Sequence, residues 1–157
     1  MHHFRTVRVL TAMALVLPAS LATWSVAGPA SATTAPTCSV LAIAVTGTGT
    51  VSGCTDTANT GGSGKLVFVV KKSPYPGTIT WKGTGTTAVS LTYTFPKKSV
   101  CAKGDTDIVI GGTVTGGKGA ALKSIPKNSK VSAVACYNPK AKPAVAVELA
   151  PKQLLHL

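Results

Sequence analysis

The cleanest alternation of apolar and polar positions runs from Thr78 to Phe95. Ile79 and Trp81 fall on one face, Thr78, Thr80 and Lys82 on the other. After Gly83-Thr84-Gly85 the alternation resumes, with Val89, Leu91, Tyr93 and Phe95 inward and Ser90, Thr92 and Thr94 outward. Two runs of period two around a glycine-rich break predict a β-hairpin with one buried and one wet face. Trp81 is expected to sit at the centre of the core.

The flanking segments predict further strands. Cys38 to Val45 is a short apolar run, and Gly47-Thr48-Gly49 turns it into a second strand ending at Cys54. Thr55 to Gly64 has loop chemistry. Lys65 to Lys72 is apolar on both faces, which predicts a central strand covered on both sides. Ser73 to Gly77, with Pro74 and Pro76, predicts a loop that exposes Tyr75. Asp107 to Thr115 is a strand interrupted at Gly111-Gly112, the mark of a bulge or a close backbone approach. Ala120 to Ile125 fits one helical turn. Lys130 to Tyr137 alternates again, Ala144 to Leu149 is a strand, and Lys152 to Leu157 fits a short final edge strand. Seven to nine short strands with turns every 8–15 residues make the chain all-β. The expected architecture is a small antiparallel β-sandwich of Ig-like or Greek-key type, with a small barrel as the alternative.

The N-terminus changes the length that has to fold. Basic residues at His2, His3, Arg5 and Arg8 precede an apolar run from Val9 to Ala27, which exits at Ala30-Ser31-Ala32. This is the pattern of a secretory signal peptide over residues 1–32, cleaved after Ala32. Pro18, Ser20, Thr23 and Ser25 break the run and no basic stop-transfer flank follows, so no transmembrane span is expected after signal removal. Residues 33–157 then form a single β domain, with 33–37 a flexible lead.

Export gives the cysteines a meaning. Cys38, Cys54, Cys101 and Cys136 are an even set in an oxidising setting, without a Cys-x-x-Cys pair, so two disulfides are expected. The shorter loops favour Cys38–Cys54 and Cys101–Cys136, each worth roughly 3–4 kcal/mol in the loop-entropy model.

The segments Val51-Ser52-Gly53-Cys54, Gly61-Gly62-Ser63-Gly64, Ile79-Thr80-Trp81 and Gly112-Thr113-Val114-Thr115-Gly116 resemble the small exported β-rich proteins of uncharacterised function that actinobacteria encode. The resemblance implies an extracellular or cell-envelope setting. It brings no known active site and no residue roles.

Catalytic equipment is thin. Residues 33–157 hold one His, one Glu, three Asp and no Arg. His156 lies one residue from the C-terminus, an unsuitable place for a rigid general base. Glu148 is on the predicted outward face. Asp105 and Asp107 are two apart, but a hard cation wants six or more oxygen ligands and no other carboxylate is near in sequence. There is no phosphate loop and no Gly-x-Ser-x-Gly. No catalytic, cofactor-binding or metal-ligating residue is therefore assigned, and the protein is expected not to be an enzyme.

Charge remains. Fourteen Lys against four acidic residues leave the mature chain at a net +10. Lys71-Lys72 and Lys97-Lys98 are paired at strand ends, where Lys also blunts sheet edges. With Tyr75 they are the candidate binding residues. They suggest a cationic binding or structural protein meeting an anionic envelope polymer. The alternative is an inhibitor or binding module that presents residues 73–77 to an extracellular protein. A hydrolase with an unrecognised site ranks last. Sequence-specific nucleic-acid recognition is not expected, since no Arg supplies the bidentate fork that reads guanine.

Overall fold

A computed structural model describes residues 35–70, 73–138, 140 and 147–157, all within one compact unit. The predicted signal segment lies outside the described residues, as do Lys71 and Lys72.

Alternation sets the elements. The strands are β1 (Thr37–Ile43), β2 (Thr48–Cys54), β3 (Ser63–Phe68), β4 (Tyr75–Trp81), β5 (Gly85–Thr94), β6 (Thr106–Gly119), β7 (Lys130–Tyr137), β8 (Val147–Leu149) and β9 (Leu155–His156). Two single helical turns interrupt them, α1 (Thr57–Thr60) and α2 (Ala121–Ser124). Asp56 starts α1 by accepting a hydrogen bond from the Asn59 N–H at 3.1 Å. Gly61 ends it in the left-handed region at φ 62°, which glycine adopts without a Cβ penalty.

Each strand from β1 to β8 pairs antiparallel with the next, and β8 pairs back onto β1. The result is a closed up-and-down barrel. The sandwich expectation is thereby corrected and the barrel alternative holds. A sheet that closes on itself leaves no exposed edge to protect. β9 lies in the same gap as β8, between β1 and β7, at the opposite end. Thr37 pairs with His156 and Ser132 with His156 at one end, while Ala42 pairs with Glu148 at the other. The final strand is therefore part of the wall and not a free edge.

Ile79, Trp81, Val89 and Leu91 are on the inner face as expected, whereas Tyr93 and Phe95, also expected inward, are 47 % and 63 % exposed. Val51, Leu66, Ile79, Trp81, Val89, Leu91, Ile110 and Val131 are buried. Burying each such side chain fully is worth about 1.5–3 kcal/mol. Trp81 is 2 % exposed, and its indole N–H donates to the Thr87 hydroxyl at 2.8 Å. This places Trp81 at the closed end of the barrel, with α1, α2 and the C-terminal Leu157. Leu157 is buried, and its N–H donates to the Pro36 carbonyl at 3.1 Å.

Several local expectations change. Pro36 is buried and Thr37 opens β1, so the flexible lead does not extend that far. β3 stops at Phe68, and Val67 is 55 % exposed, because a barrel has one interior and the outer face of β3 meets solvent. β4 begins at Tyr75, so residues 75–77 are strand and not loop. The register shift lies opposite Ala88 and Val89, which pair with Gly116 and Val114, and not at Gly111-Gly112. Gly112 instead marks a close approach: a Cβ there would collide with the Ser90 carbonyl and the Leu91 side chain.

Both favoured disulfides are present. Cys38–Cys54 joins directly paired residues of β1 and β2 at the closed end. Cys101–Cys136 ties the β5–β6 connection to the last turn of wall in β7 at the other end.

Candidate functional site

The meander puts the described parts of four connections at one end of the barrel: residues 44–47, 69–70 with 73–74, 95–105, and 138 with 140. Strands reach that end with their inward positions still apolar. Phe68 ends β3, Tyr75 begins β4, Tyr93 lies near the end of β5 with Phe95 just beyond it, and Tyr137 ends β7. The opposite end is shut by Trp81 and the two helical turns. Between them the inner wall encloses a cavity of about 430 Å³.

Its depth is lined by Leu41, Val51, Leu66, Ile79, Val89 and Ile110, with Val131, Leu155 and Leu157 toward the floor. These side chains are all hydrocarbon. Two glycines widen the bore by letting neighbours lie flat against the wall. A Cβ at Gly77 would strike the Phe68 ring, and Leu91 lies over Gly112. Eight-stranded barrels are at the size where side chains either fill the interior or leave room for one small ligand. Here the inward residues are of medium size and room remains.

The mouth is aromatic. The rings of Tyr75 and Tyr93 stack with centroids 5.1 Å apart, and the Tyr75 hydroxyl donates to the Tyr93 hydroxyl at 3.1 Å. Phe95 meets Tyr93 edge-on at 5.6 Å. The Tyr93 hydroxyl beside it is the main reason the Tyr75 phenol is held above its ordinary range, with burial adding to the effect. Phe95 is 63 % exposed, and Val45 and Val70 are also largely exposed. A contiguous apolar rim of this kind marks a binding entrance more often than an ordinary surface.

Asp107 anchors the longest described connection at the mouth. It is 6 % exposed and accepts hydrogen bonds from the Val100 N–H at 2.6 Å, the Ser99 hydroxyl at 2.9 Å and the Cys101 N–H at 3.1 Å. Burial pushes its carboxyl up, but the three donors outweigh burial and hold it below the ordinary carboxylate range. A depressed carboxyl stabilises the fold above its unfolded pKa, and that contribution is lost as pH falls through the folded value. Acidification below about pH 4 is therefore expected to loosen residues 95–105 before the barrel opens. Hydrogen exchange at Val100 and Cys101 across pH 5 to 3 measures this. Asp107→Asn should show loosened exchange already at neutral pH, with a flattened acid response.

The sequence-predicted residues fall in different places. Tyr75 lines the cavity and is half-buried, instead of projecting from a loop. Lys97 and Lys98 are exposed in the β5–β6 connection at the mouth end. Lys82, Lys118, Lys123, Lys127, Lys130 and Lys152 are exposed toward the closed end, so the described lysines do not gather on one patch. In the Asp105–Asp107 pair, three hydrogen-bond donors already engage the Asp107 carboxylate. Among the described residues no group of three or more His, Cys, Asp or Glu is placed to hold a metal. No described helix is long and apolar enough to cross a membrane.

The cavity itself was missed by sequence reasoning. A signal existed: all three tyrosines, and the two phenylalanines beyond residue 32, sit near strand ends on one side of the meander. The sequence matches no family model, no curated protein and no solved structure.

Proposed function

We propose that this chain is an exported, non-catalytic binding protein that holds one small apolar molecule inside its barrel. The observation that carries the reading is the hydrocarbon-lined cavity of about 430 Å³, shut at one end and rimmed by aromatics at the other. Its volume is within the ordinary range for small-molecule sites. Export is supported by the signal-like N-terminus and by two disulfides that stabilise the small domain outside the cell. The site offers apolar burial and hydroxyl groups, and no pairing of nucleophile and base.

The cationic-surface reading has weaker support, since the described lysines divide between both ends. The inhibitor reading is weaker too, because β4 takes up most of residues 73–77.

The test is titration of the mature protein with the uncharged dye N-phenyl-1-naphthylamine. Saturable fluorescence enhancement at one dye per chain is expected, unchanged near 0.5 M salt, where charges are screened beyond about 4 Å. Leu91→Trp should fill the cavity, lower dye affinity at least tenfold and leave the melting temperature at or above that of the parent. Absence of saturable enhancement in the parent protein would overturn the reading. Retention on isolated envelope that vanishes with salt, without dye binding, would favour the cationic alternative.

A further inference from the structure

Polarity along the cavity is graded, and the gradient selects a ligand class. The lower wall offers only hydrocarbon. Polar side-chain atoms in the lining belong to Tyr75, Thr92, Tyr93 and Tyr137, all at the mouth end. The Thr92 hydroxyl is committed to the Gly111 carbonyl at 3.3 Å. Among the described residues no Lys, Asp, Glu or His lines the cavity. An ionised head drawn inside would have no counter-charge, and burying an unpaired charge is costly. A hydroxyl or carbonyl head would meet a donor, however. Tyr75 spends its proton on Tyr93, and no acceptor among the described residues takes the Tyr93 proton, so that hydroxyl can donate onward. Tyr93 is 47 % exposed, so a head group can reach it, and the edge of Phe95 steadies its ring.

The dimensions suit a single chain. From Val89 to Phe95 the wall climbs six residues, about 15 Å along the axis at the usual rise and tilt. An extended chain advances ~1.2 Å per bond, so about twelve bonds span that depth. The volume is about three times the ~150 Å³ apolar cavity that takes one benzene.

We infer that the ligand is an uncharged single-chain amphiphile, its tail in the lower barrel and its hydroxyl or carbonyl oxygen bonded to the Tyr75–Tyr93 hydroxyl pair. The inference rests on the cavity-binding reading above. It assigns the tyrosine pair the role of fixing head orientation and discriminating against ionised heads.

The experiment is competition against bound N-phenyl-1-naphthylamine at pH 7.5 with 1-decanol and with decanoate, which differ in the charge of the head. Decanol is expected to bind at least tenfold more tightly than decanoate. The double variant Tyr75→Phe with Tyr93→Phe keeps the rings and removes both hydroxyls. It should weaken decanol by about five- to tenfold, the worth of one hydrogen bond, a larger loss than it causes for the dye, while the protein still unfolds cooperatively. Decanoate binding as tightly as decanol would overturn the inference, pointing to the exposed mouth lysines as head-group partners. An unchanged decanol affinity in the double variant would also overturn it, as would failure of decanol to displace a dye that does bind. Failure of the dye itself to bind the parent protein would instead remove the cavity reading on which the inference rests.

Discussion

Trp81→Ala is expected to cost about 3–5 kcal/mol of stability, the range for deleting a fully buried large aromatic. The indole is the plug of the closed end, 2 % exposed and bonded to Thr87, which is itself wholly buried. Truncation removes the packing, opens a second void beneath an existing cavity, and strands the Thr87 hydroxyl. A domain of this size has about 5–15 kcal/mol in total, so a large share of it would be lost. Urea denaturation followed by far-ultraviolet circular dichroism measures the effect, since the variant lacks the fluorescent reporter. Trp81→Phe separates the contributions. It keeps most of the volume and loses the N–H, so it should cost about 1–2 kcal/mol. A loss below 1 kcal/mol for the alanine variant would show that the closed end is not sealed by this ring.

Replacing both Cys101 and Cys136 by Ser is expected to cost about 3–4 kcal/mol, from the entropy of releasing a loop with a sequence separation of 35. The bridge also holds the β5–β6 connection against β7 at the mouth, beside the three hydrogen bonds to Asp107. Its loss should therefore weaken dye binding severalfold as well as stability. Removing Cys38 and Cys54 together should cost about 3 kcal/mol for its shorter loop and leave dye binding nearly intact, because that bridge lies at the closed end. Equal effects of the two pairs on binding would contradict the assignment of the open and closed ends.

The period-two pattern correctly placed Ile79, Trp81, Val89 and Leu91 on the inner face, because alternation is a local property of an extended chain. Closure is not local. Inward-facing residues in a sandwich and in a barrel obey the same alternation. What distinguishes them here is the pairing of β1 with β8 and β9, such as Ala42 with Glu148, which leaves no trace in either segment alone. The error at β3 has the same origin. Leu66, Val67 and Phe68 look doubly buried only if a second layer covers the outer face, and the barrel has none. The prolines on either side of Tyr75 give that segment the signature of a loop. Pro76 is tolerated in β4 because it stands near the rim, where a missing N–H costs little. The cavity was illegible for a further reason. Sequence shows which side chains point inward, but not whether their volumes fill the space they enclose.

The wall has one stave made of two pieces. β8 supplies three residues and β9 two, and both must find β1 across more than a hundred residues of chain, as in Ala42 with Glu148 or Thr37 with His156. The hairpins from β1 to β7 close over short distances, while this join is delayed by the entropy of a long loop. The barrel is thus expected to zip along a single late seam. The same seam has the fewest ladder bonds to hold it, so it is where the native wall should breathe first. For the ligand proposed above, such breathing would add a side door to the mouth.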